Sequence, residues 1–539
     1  MQKRILILGF FIGLCSSVLM FGATAAAQET EAVHATLQSG IADRGGEAIV
    51  VCPGQFREAL QPWIQFRESQ GIRIRLIDSA ISAATLTTNV RESSSDDTVA
   101  IVLIGDAPAI GTSADPNRHV PMHYTATTVS AKFGSTRSLP TDLPYGDLDG
   151  DGRMDVAIGR LPVDTPEQLQ RLIDRMKAYE SSPDYSSWRS EVQLVGGVGG
   201  FGILADSAIE TVTRTIVTGS LPGGVRTSID YGSPGHRFYP RKRFREAIVD
   251  RYNLGCRFWV YAGHGQVEGL DRVPAGPTGI PVLDNQSLDG LGVPTERSPI
   301  ALLLCCYTGA VDARVDSFAE RMLKQDGGPI AVIAGTRVTM PYGNCSFTLG
   351  LIESIYGNDR TPPARRLGDA WRWAMNRLQE PETEEASQMQ VLVNTVAALI
   401  SPAGTNLAEE RREHTRLYTL LGDPLLRLLP PKSAQVNAAT GFDFGVPVTV
   451  KVTSPIDGDC TLTLNRALGQ IAQGAPRGTD PNDTSIANIT RTVQAGRPEE
   501  FTLTLDTNHT GNVLIRVHIA GVDDWAVGAA QTNVRPAAN

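Results

Sequence analysis

Two unbroken apolar runs, Phe258-Trp259-Val260-Tyr261-Ala262 and Ile300-Ala301-Leu302-Leu303-Leu304, constrain the fold of this chain more than any other feature. A strand with one wet face alternates polar and apolar residues. A short continuous apolar run bounded by turn residues reads instead as a strand of a parallel sheet, buried on both faces. The first run leads into Gly263-His264-Gly265, and the second into Cys305-Cys306-Tyr307-Thr308-Gly309. In open α/β sheets the carboxyl ends of the strands form the ligand crevice. Two such strands side by side would hold an imidazole and a thiol over one crevice, the minimal equipment of a cysteine hydrolase. Gly265, lacking a Cβ, would let a substrate backbone approach its amide. That amide and the backbone N–H of Cys306 would form an oxyanion hole. The plainer alternative is a buried histidine and two inert cysteines, since free cysteine is among the most buried residue types.

At 539 residues the chain is too long for one core and implies two or three domains. The net charge of −9 and the lack of a basic stripe argue against nucleic acid as a partner. Lys3 and Arg4, an apolar stretch to about Phe21 and Ala23-Thr24-Ala25-Ala26-Ala27 have the layout of a secretory signal, assigned to residues 1–27. With no later stretch of membrane-spanning length, the expectation is a protein secreted or held outside the cytoplasm, without a membrane span once the signal is cleaved. Six cysteines follow the signal, too few in a chain this long for a disulfide scaffold.

After a linker at 28–44, strands are expected at Ala48–Cys52, Ile72–Ile77 and Thr98–Ile104, with helices at Phe56–Gln70 and Pro166–Tyr179. Ser181-Ser182-Pro183-Asp184 reads as a hinge. The alternation resumes with a strand at Val192–Val195 and helices at Ala205–Val217 and Lys242–Tyr252. The His264 and Cys306 strands follow, then a helix at Phe318–Lys324 and a strand at Pro329–Ala334. Alternation of this kind predicts a parallel α/β sheet. Beyond Pro430-Pro431 come short alternating strands at Val448–Val452, Cys460–Leu464, Glu500–Leu505 and Asn512–Ile519, the pattern of a β-sandwich. The expected boundaries are 45–182, 183–432 and 433–539.

Asp147, Asp149, Asp151 and Asp155 stand at positions 1, 3, 5 and 9 of a loop with Gly152 at position 6, the front of a calcium loop. Ile158 replaces the bidentate glutamate of a full EF-hand. Carboxylates this close repel one another without a cation, so a structural Ca²⁺ is expected. Gly197-Val198-Gly199-Gly200-Phe201-Gly202 matches a dinucleotide fingerprint, but Asp230 lies late for a ribose-binding acid and the pattern alone is weak. His119 and His123 read as loop residues, and His414 as structural.

The His-Gly and Cys-Cys segments together resemble the gingipain family of cysteine peptidases, relatives of caspases and legumain. Tyr261-Ala-Gly-His264-Gly265 is similar to the family's histidine motif. Cys305-Cys306-Tyr-Thr-Gly309, followed by Ser317-Phe-Ala-Glu320, resembles its nucleophile segment. Ile158-Gly-Arg160, Trp188-Arg189, Ile333-Ala334 and Gly422-Asp423-Pro424-Leu425 extend the likeness over about residues 45–432. The resemblance implies a caspase-like parallel-sheet catalytic domain of two α/β subdomains, followed by an immunoglobulin-like β-sandwich. It implies Cys306 as nucleophile, with Cys305 where the family often has alanine. It also implies protein or peptide substrates, and a specificity aspartate near a helix start, a place similar to that of Asp206. A preference for arginine would follow; an ordinary helix cap is the other reading of Asp206.

Two departures stand out. Val198 occupies the position of a family glutamate that orients the histidine, which leaves a Cys–His dyad. Only about seventeen residues separate the signal from the catalytic domain, so neither the family's large inhibitory pro-segment nor its C-terminal secretion domain is expected. The expectation is an exported cysteine endopeptidase; the alternative is a catalytically degenerate binding or scaffold protein on the same fold.

Overall fold

Among the described residues ten strands, several of them unbroken apolar runs, pair into one sheet. The computed structural model describes residues 45–199, 219–232, 240–274, 277–358, 361–380, 388–401, 404–468, 479–505 and 509–536. The strands are β1 (Glu47–Val51), β2 (Arg73–Ile77), β3 (Thr98–Ile104), β4 (Ala157–Leu161), β5 (Glu191–Gly196), β6 (Arg226–Tyr231), β7 (Phe258–Ala262), β8 (Ile300–Leu304), β9 (Ala331–Gly335) and β10 (Tyr418–Leu421). Their order is β2-β1-β3-β4-β10-β9-β8-β7-β5-β6. β1, β4, β8 and β9 are buried along their whole length, as continuous apolar runs require.

The expected two α/β halves are thus joined through one continuous sheet. Every pairing is parallel except β9 with β10, while β10 is parallel to β4. The strands of the first half therefore run opposite to those of the second. The carboxyl ends of β5, β7, β8 and β9 therefore lie together along one side of the sheet. β10 comes from late in the chain and closes the gap between the halves.

That junction explains several motifs. A Cβ on Gly159 would lie 2.6 Å from the carbonyl oxygen of Gly422 and 2.8 Å from Pro424, so Ile158-Gly-Arg160 and Gly422-Asp423-Pro424 fit only with glycine. Arg160, fully buried, forms a fork with Asp142 at 2.9 and 2.7 Å. Asp423 accepts from Trp63 Nε1 and from Arg67, whose guanidinium also meets Glu180. Buried charges satisfied in this way fix one arrangement of the halves, and removing one partner would leave the other stranded. The segment read as a hinge is tied down too, since Asp184 pairs with Arg297 at 2.7 Å.

Helix boundaries differ from the sequence reading at two starts: the helix expected over 242–252 is a 3₁₀ turn, Arg241–Arg243, followed by an α-helix from Phe244, and the other lies near residue 56. The helix expected over 56–70 is a short 3₁₀ turn, Gly54–Phe56, and then α1 (Gln61–Ser69) with proline in its first turn. Proline is suited to a helix start and not to an interior. α2 (Ala83–Ser93), α3 (Pro166–Glu180), α4 (Phe244–Asn253) and α5 (Phe318–Lys324) follow, then α6 (Pro341–Tyr356), α7 (Leu367–Arg377), α8 (Gln388–Ile400) and α9 (Leu407–Leu417). No helix of the described residues is long and apolar enough to cross a membrane.

The C-terminal region is a β-sandwich with its own core, including Val450, Leu462, Phe501, Ile515 and Val517. Burial alternates along Val448–Thr453 and Gly511–Ala520, as two packed sheets demand. The sandwich also covers the exposed edge of the large sheet. The Asn482 side chain accepts from Ile229 N–H and donates to Ile229 C=O, satisfying edge strand β6 as a neighbouring strand would.

Candidate active site

β7 and β8 are adjacent and parallel, with Ala262 level with Leu304. The turns that carry His264 and Cys306 therefore leave the sheet side by side. Their contact is close. A Cβ on Gly265 would lie 2.6 Å from the Cys306 carbonyl oxygen and 2.8 Å from Cys305 Sγ, so only glycine lets the histidine turn settle against the cysteine turn.

The first turn of α5 joins the two. Phe318 N–H donates to Val267 C=O at 2.6 Å, and Ala319 N–H donates to Thr308 C=O at 2.9 Å. These are the N–H groups that a helix start leaves without intrahelical partners. The Ser317–Glu320 capping box satisfies the others. Ser317-Phe-Ala-Glu320 is thus a clamp across the two site turns.

The adjacent cysteines differ sharply. Cys305 is 1% exposed, with Sγ 3.4 Å from Thr308 Oγ1, and burial pushes its thiol far up. Cys306 is partly exposed, with Sγ 3.8 Å from Thr339 C=O. Burial raises its thiol too; Thr339 opposes the shift, and the Asp271 charge adds to it. Of the pair, only Cys306 can meet a substrate. The next residue, Tyr307, has φ 60°, uncommon for a bulky side chain. It is held there by Tyr307 N–H to Arg337 C=O at 3.2 Å and by its hydroxyl accepting from Thr136 N–H at 3.1 Å. Arg337 is in turn fixed by a fork to Asp312 at 3.0 and 2.6 Å.

His264 is half-buried, and its backbone is gripped at both ends. Its N–H donates to Asp271 Oδ2 at 3.2 Å, and its C=O accepts from the Tyr261 hydroxyl at 3.0 Å. Asp271 Oδ2 also accepts from Val198 N–H at 2.9 Å. Sequence reasoning missed Asp271. A single aspartate in a glycine-rich stretch forms no motif, and its partners lie up to 73 residues away.

Other residues singled out from the sequence fall as follows. Asp147, Asp149 and Asp151 bring carboxylate oxygens within 4.8 Å of one another, a set of hard oxygen donors that fits a cation such as Ca²⁺. Asp155 is not in that set. Its Oδ2 accepts from the backbone N–H groups of Leu148 and Asp149 in the same loop, at 2.7 and 3.2 Å. A second acidic group, Asp106, Asp316 and Glu320, has a cation of the chain's own in Lys324, 3.0 Å from Asp316. Asp206 and the helix expected over 205–217 lie outside the described residues, as does the expected signal segment.

Gly197 of the glycine-rich turn packs against Asp271 and Gly263. Asp230 is buried with Arg251 and Asn482 and is not presented to a ribose. His414 is fully buried, accepting from Met340 N–H, and burial pulls it down to about 4. His119 lies in a loop, but His123 stands in a short strand, His123–Ala126, bonded to Thr87. All six described cysteines are free thiols.

Comparison with known proteins gives one consistent answer. The family described as peptidase family C25 matches residues 41–429. Gingipain R2 of Porphyromonas gingivalis is 23% identical over 412 residues, 73% of this chain and 47% of its own length. Lys-gingipain of the same species is 21% identical over 304 residues, 53% of this chain and 15% of its own. The chain thus spans less than half of each of these relatives. The crystal structure of the Arg-specific cysteine proteinase gingipain R superposes with a TM-score of 0.51 at 17% identity, covering 91% of this chain and 98% of the other, a likeness of fold.

Proposed function

The chain belongs to peptidase family C25, the gingipain family, and we propose that it is an exported cysteine endopeptidase working through a Cys306–His264 dyad. The observation that carries the reading is the aligned exit of the two residues from β7 and β8, with Gly265 seated against Cys306. In this reading His264 takes the Cys306 proton, and the thiolate attacks the scissile carbonyl. Gly265 and Cys306 N–H groups hold the oxyanion that forms. His264 passes its proton to the leaving amine, which departs and leaves a thioester. Water, deprotonated by His264, then releases the acid and restores the thiol. The raised Cys306 thiol makes the base essential, because little thiolate exists without one.

The acidic loop belongs to the same proposal as a structural Ca²⁺ site, with Asp147, Asp149 and Asp151 as carboxylate donors and Asp155 bracing the loop. The cation would neutralise the carboxylates and stiffen a loop docked on α7, where Asn376 bonds Met154 N–H and C=O. Selection of arginine by Asp206 is proposed on a carboxylate's ability to form a two-point pair with a guanidinium. A fluorogenic panel varying only the residue before the scissile bond tests it. Equal cleavage after arginine, leucine and aspartate would make Asp206 a helix cap. The peptidase reading is tested by an acyloxymethyl-ketone probe followed by mapping of the modified residue. Label on Cys306 is expected, and an unlabelled, inactive protein would favour the scaffold alternative.

A further inference from the structure

The grip on the His264 backbone closes into a ring. Asp271 Oδ2 accepts from His264 N–H at 3.2 Å, Asp271 N–H donates to the Tyr261 hydroxyl at 3.2 Å, and that hydroxyl donates to His264 C=O at 3.0 Å. The same carboxylate oxygen reaches across to the turn after β5 through Val198 N–H at 2.9 Å. The hydroxyl in the ring is held in place by the sheet, because Tyr261 is fully buried in β7.

The surroundings are shaped to admit this carboxylate. A Cβ on Gly197 would lie 2.3 Å from Asp271 Oδ2 and 2.9 Å from Gly263 Cα. A Cβ on Gly263 would lie 2.6 Å from the Tyr261 hydroxyl and 2.8 Å from Gly197 Cα. Two glycines from separate strand ends therefore clear the space that Asp271 and Tyr261 occupy. This accounts for the first glycine of the fingerprint-like turn without any nucleotide.

From this geometry we infer that Asp271, with Tyr261 as its relay, is the positioning residue of His264. It fixes where the imidazole stands relative to Cys306 and places a negative charge beside the pair. The inference rests on the peptidase reading above. The ionisable groups that face Asp271 are Tyr261, His264, Cys305 and Cys306; its chain neighbour Arg272 turns away, to Thr278 and Gly279 C=O. A fixed carboxylate here disfavours the Cys306 thiolate, so its value lies in orientation.

The test uses the full chain with Asp271→Ala, Asp271→Asn and Tyr261→Phe. Misplacing a catalytic group by about 1 Å costs about 10²-fold. Asp271→Ala should lower kcat by that order with KM nearly unchanged, and Tyr261→Phe should lower it by less, roughly 10-fold, because Asp271 Oδ2 still accepts from His264 N–H. Asp271→Asn keeps an oxygen that can accept both N–H groups. It should retain most of kcat and shift the midpoint of Cys306 alkylation by iodoacetamide to lower pH, since the charge that raises the thiol is gone. A purely structural role would lower the melting temperature without moving that midpoint. If wild type turns over peptides while both Asp271 variants keep its kcat and its alkylation midpoint, the assignment of Asp271 is overturned and the peptidase reading stands. If wild type turns over no peptide, the peptidase reading falls and takes this inference with it.

Discussion

The acidic loop at 147–155 and the crevice at His264 and Cys306 are both glycine-punctuated turns beside the large sheet, yet they are held in opposite ways. The acidic loop is satisfied mostly from within. Asp147 accepts from Gly150 and Gly152 N–H, Asp149 from Asp151, Asp151 from Arg153, and Asp155 from Leu148 and Asp149. The two site turns are tied largely to other segments. Val267 and Thr308 receive the N–H groups of α5, Tyr307 leans on Arg337, and His264 is gripped from Asp271, which also holds Val198. The first is a local motif whose geometry a short peptide carries with it. The second exists only when the ends of β5, β7, β8 and β9 and the start of α5 have assembled, so its chemistry depends on the fold and its stability contribution is spread widely.

The largest expected effect breaks the two cysteines apart within the crevice. Cys306→Ala should abolish peptidase activity and probe labelling, whereas Cys305→Ala should keep both, since Cys305 is a buried neighbour of Thr308 and not a surface thiol. Label recovered on Cys305 would place the nucleophile one residue earlier and undo the account of the turn. Next in size, His264→Ala should cut turnover by about 10²- to 10⁴-fold, the usual worth of a positioned base. The loss should shrink as the pH of the assay rises toward the titration of the Cys306 thiol. Burial places that titration above the ordinary thiol range, so recovery should be incomplete at pH 8.5.

The difference between the regions also governs what could be read from the sequence. The sheet was legible because buried parallel strands must be continuously apolar, and β1, β3, β7, β8 and β9 all are. β10 was not, because Tyr418-Thr-Leu-Leu421 directly follows a helix and its role is to bridge the two halves by pairing Leu421 with Arg160, 261 residues earlier, a relation that no local pattern encodes. Helix α6 was passed over for a related reason. α6 is buried around most of its circumference and shows little amphipathic stripe. In the site, His264 and Cys306 announced themselves by standing at strand ends. Asp271 could not, because its meaning lies in Val198, Tyr261 and His264 converging on it.

The smallest expected effect sharpens the contrast from the loop's side. If Asp147, Asp149 and Asp151 hold Ca²⁺, binding to the folded state alone stabilises by about 2.7 kcal/mol at a calcium concentration 100 times Kd. Chelation should therefore lower Tm by a few degrees, and Asp149→Ala combined with Asp151→Ala should remove that sensitivity. Both side chains are exposed and serve mainly their own turn, so the double variant should still fold. Turnover at a temperature well below Tm should stay near wild type, because the loop's outward contacts run to Arg91 and to Asn376 and Gln379 around the end of α7, not to either site turn. An identical melting curve with and without chelator would reduce the loop to a self-satisfied acidic turn. Loss of turnover in step with calcium, at temperatures where the protein remains folded, would show instead that the local motif and the long-range crevice are coupled, and that the sheet between them transmits strain.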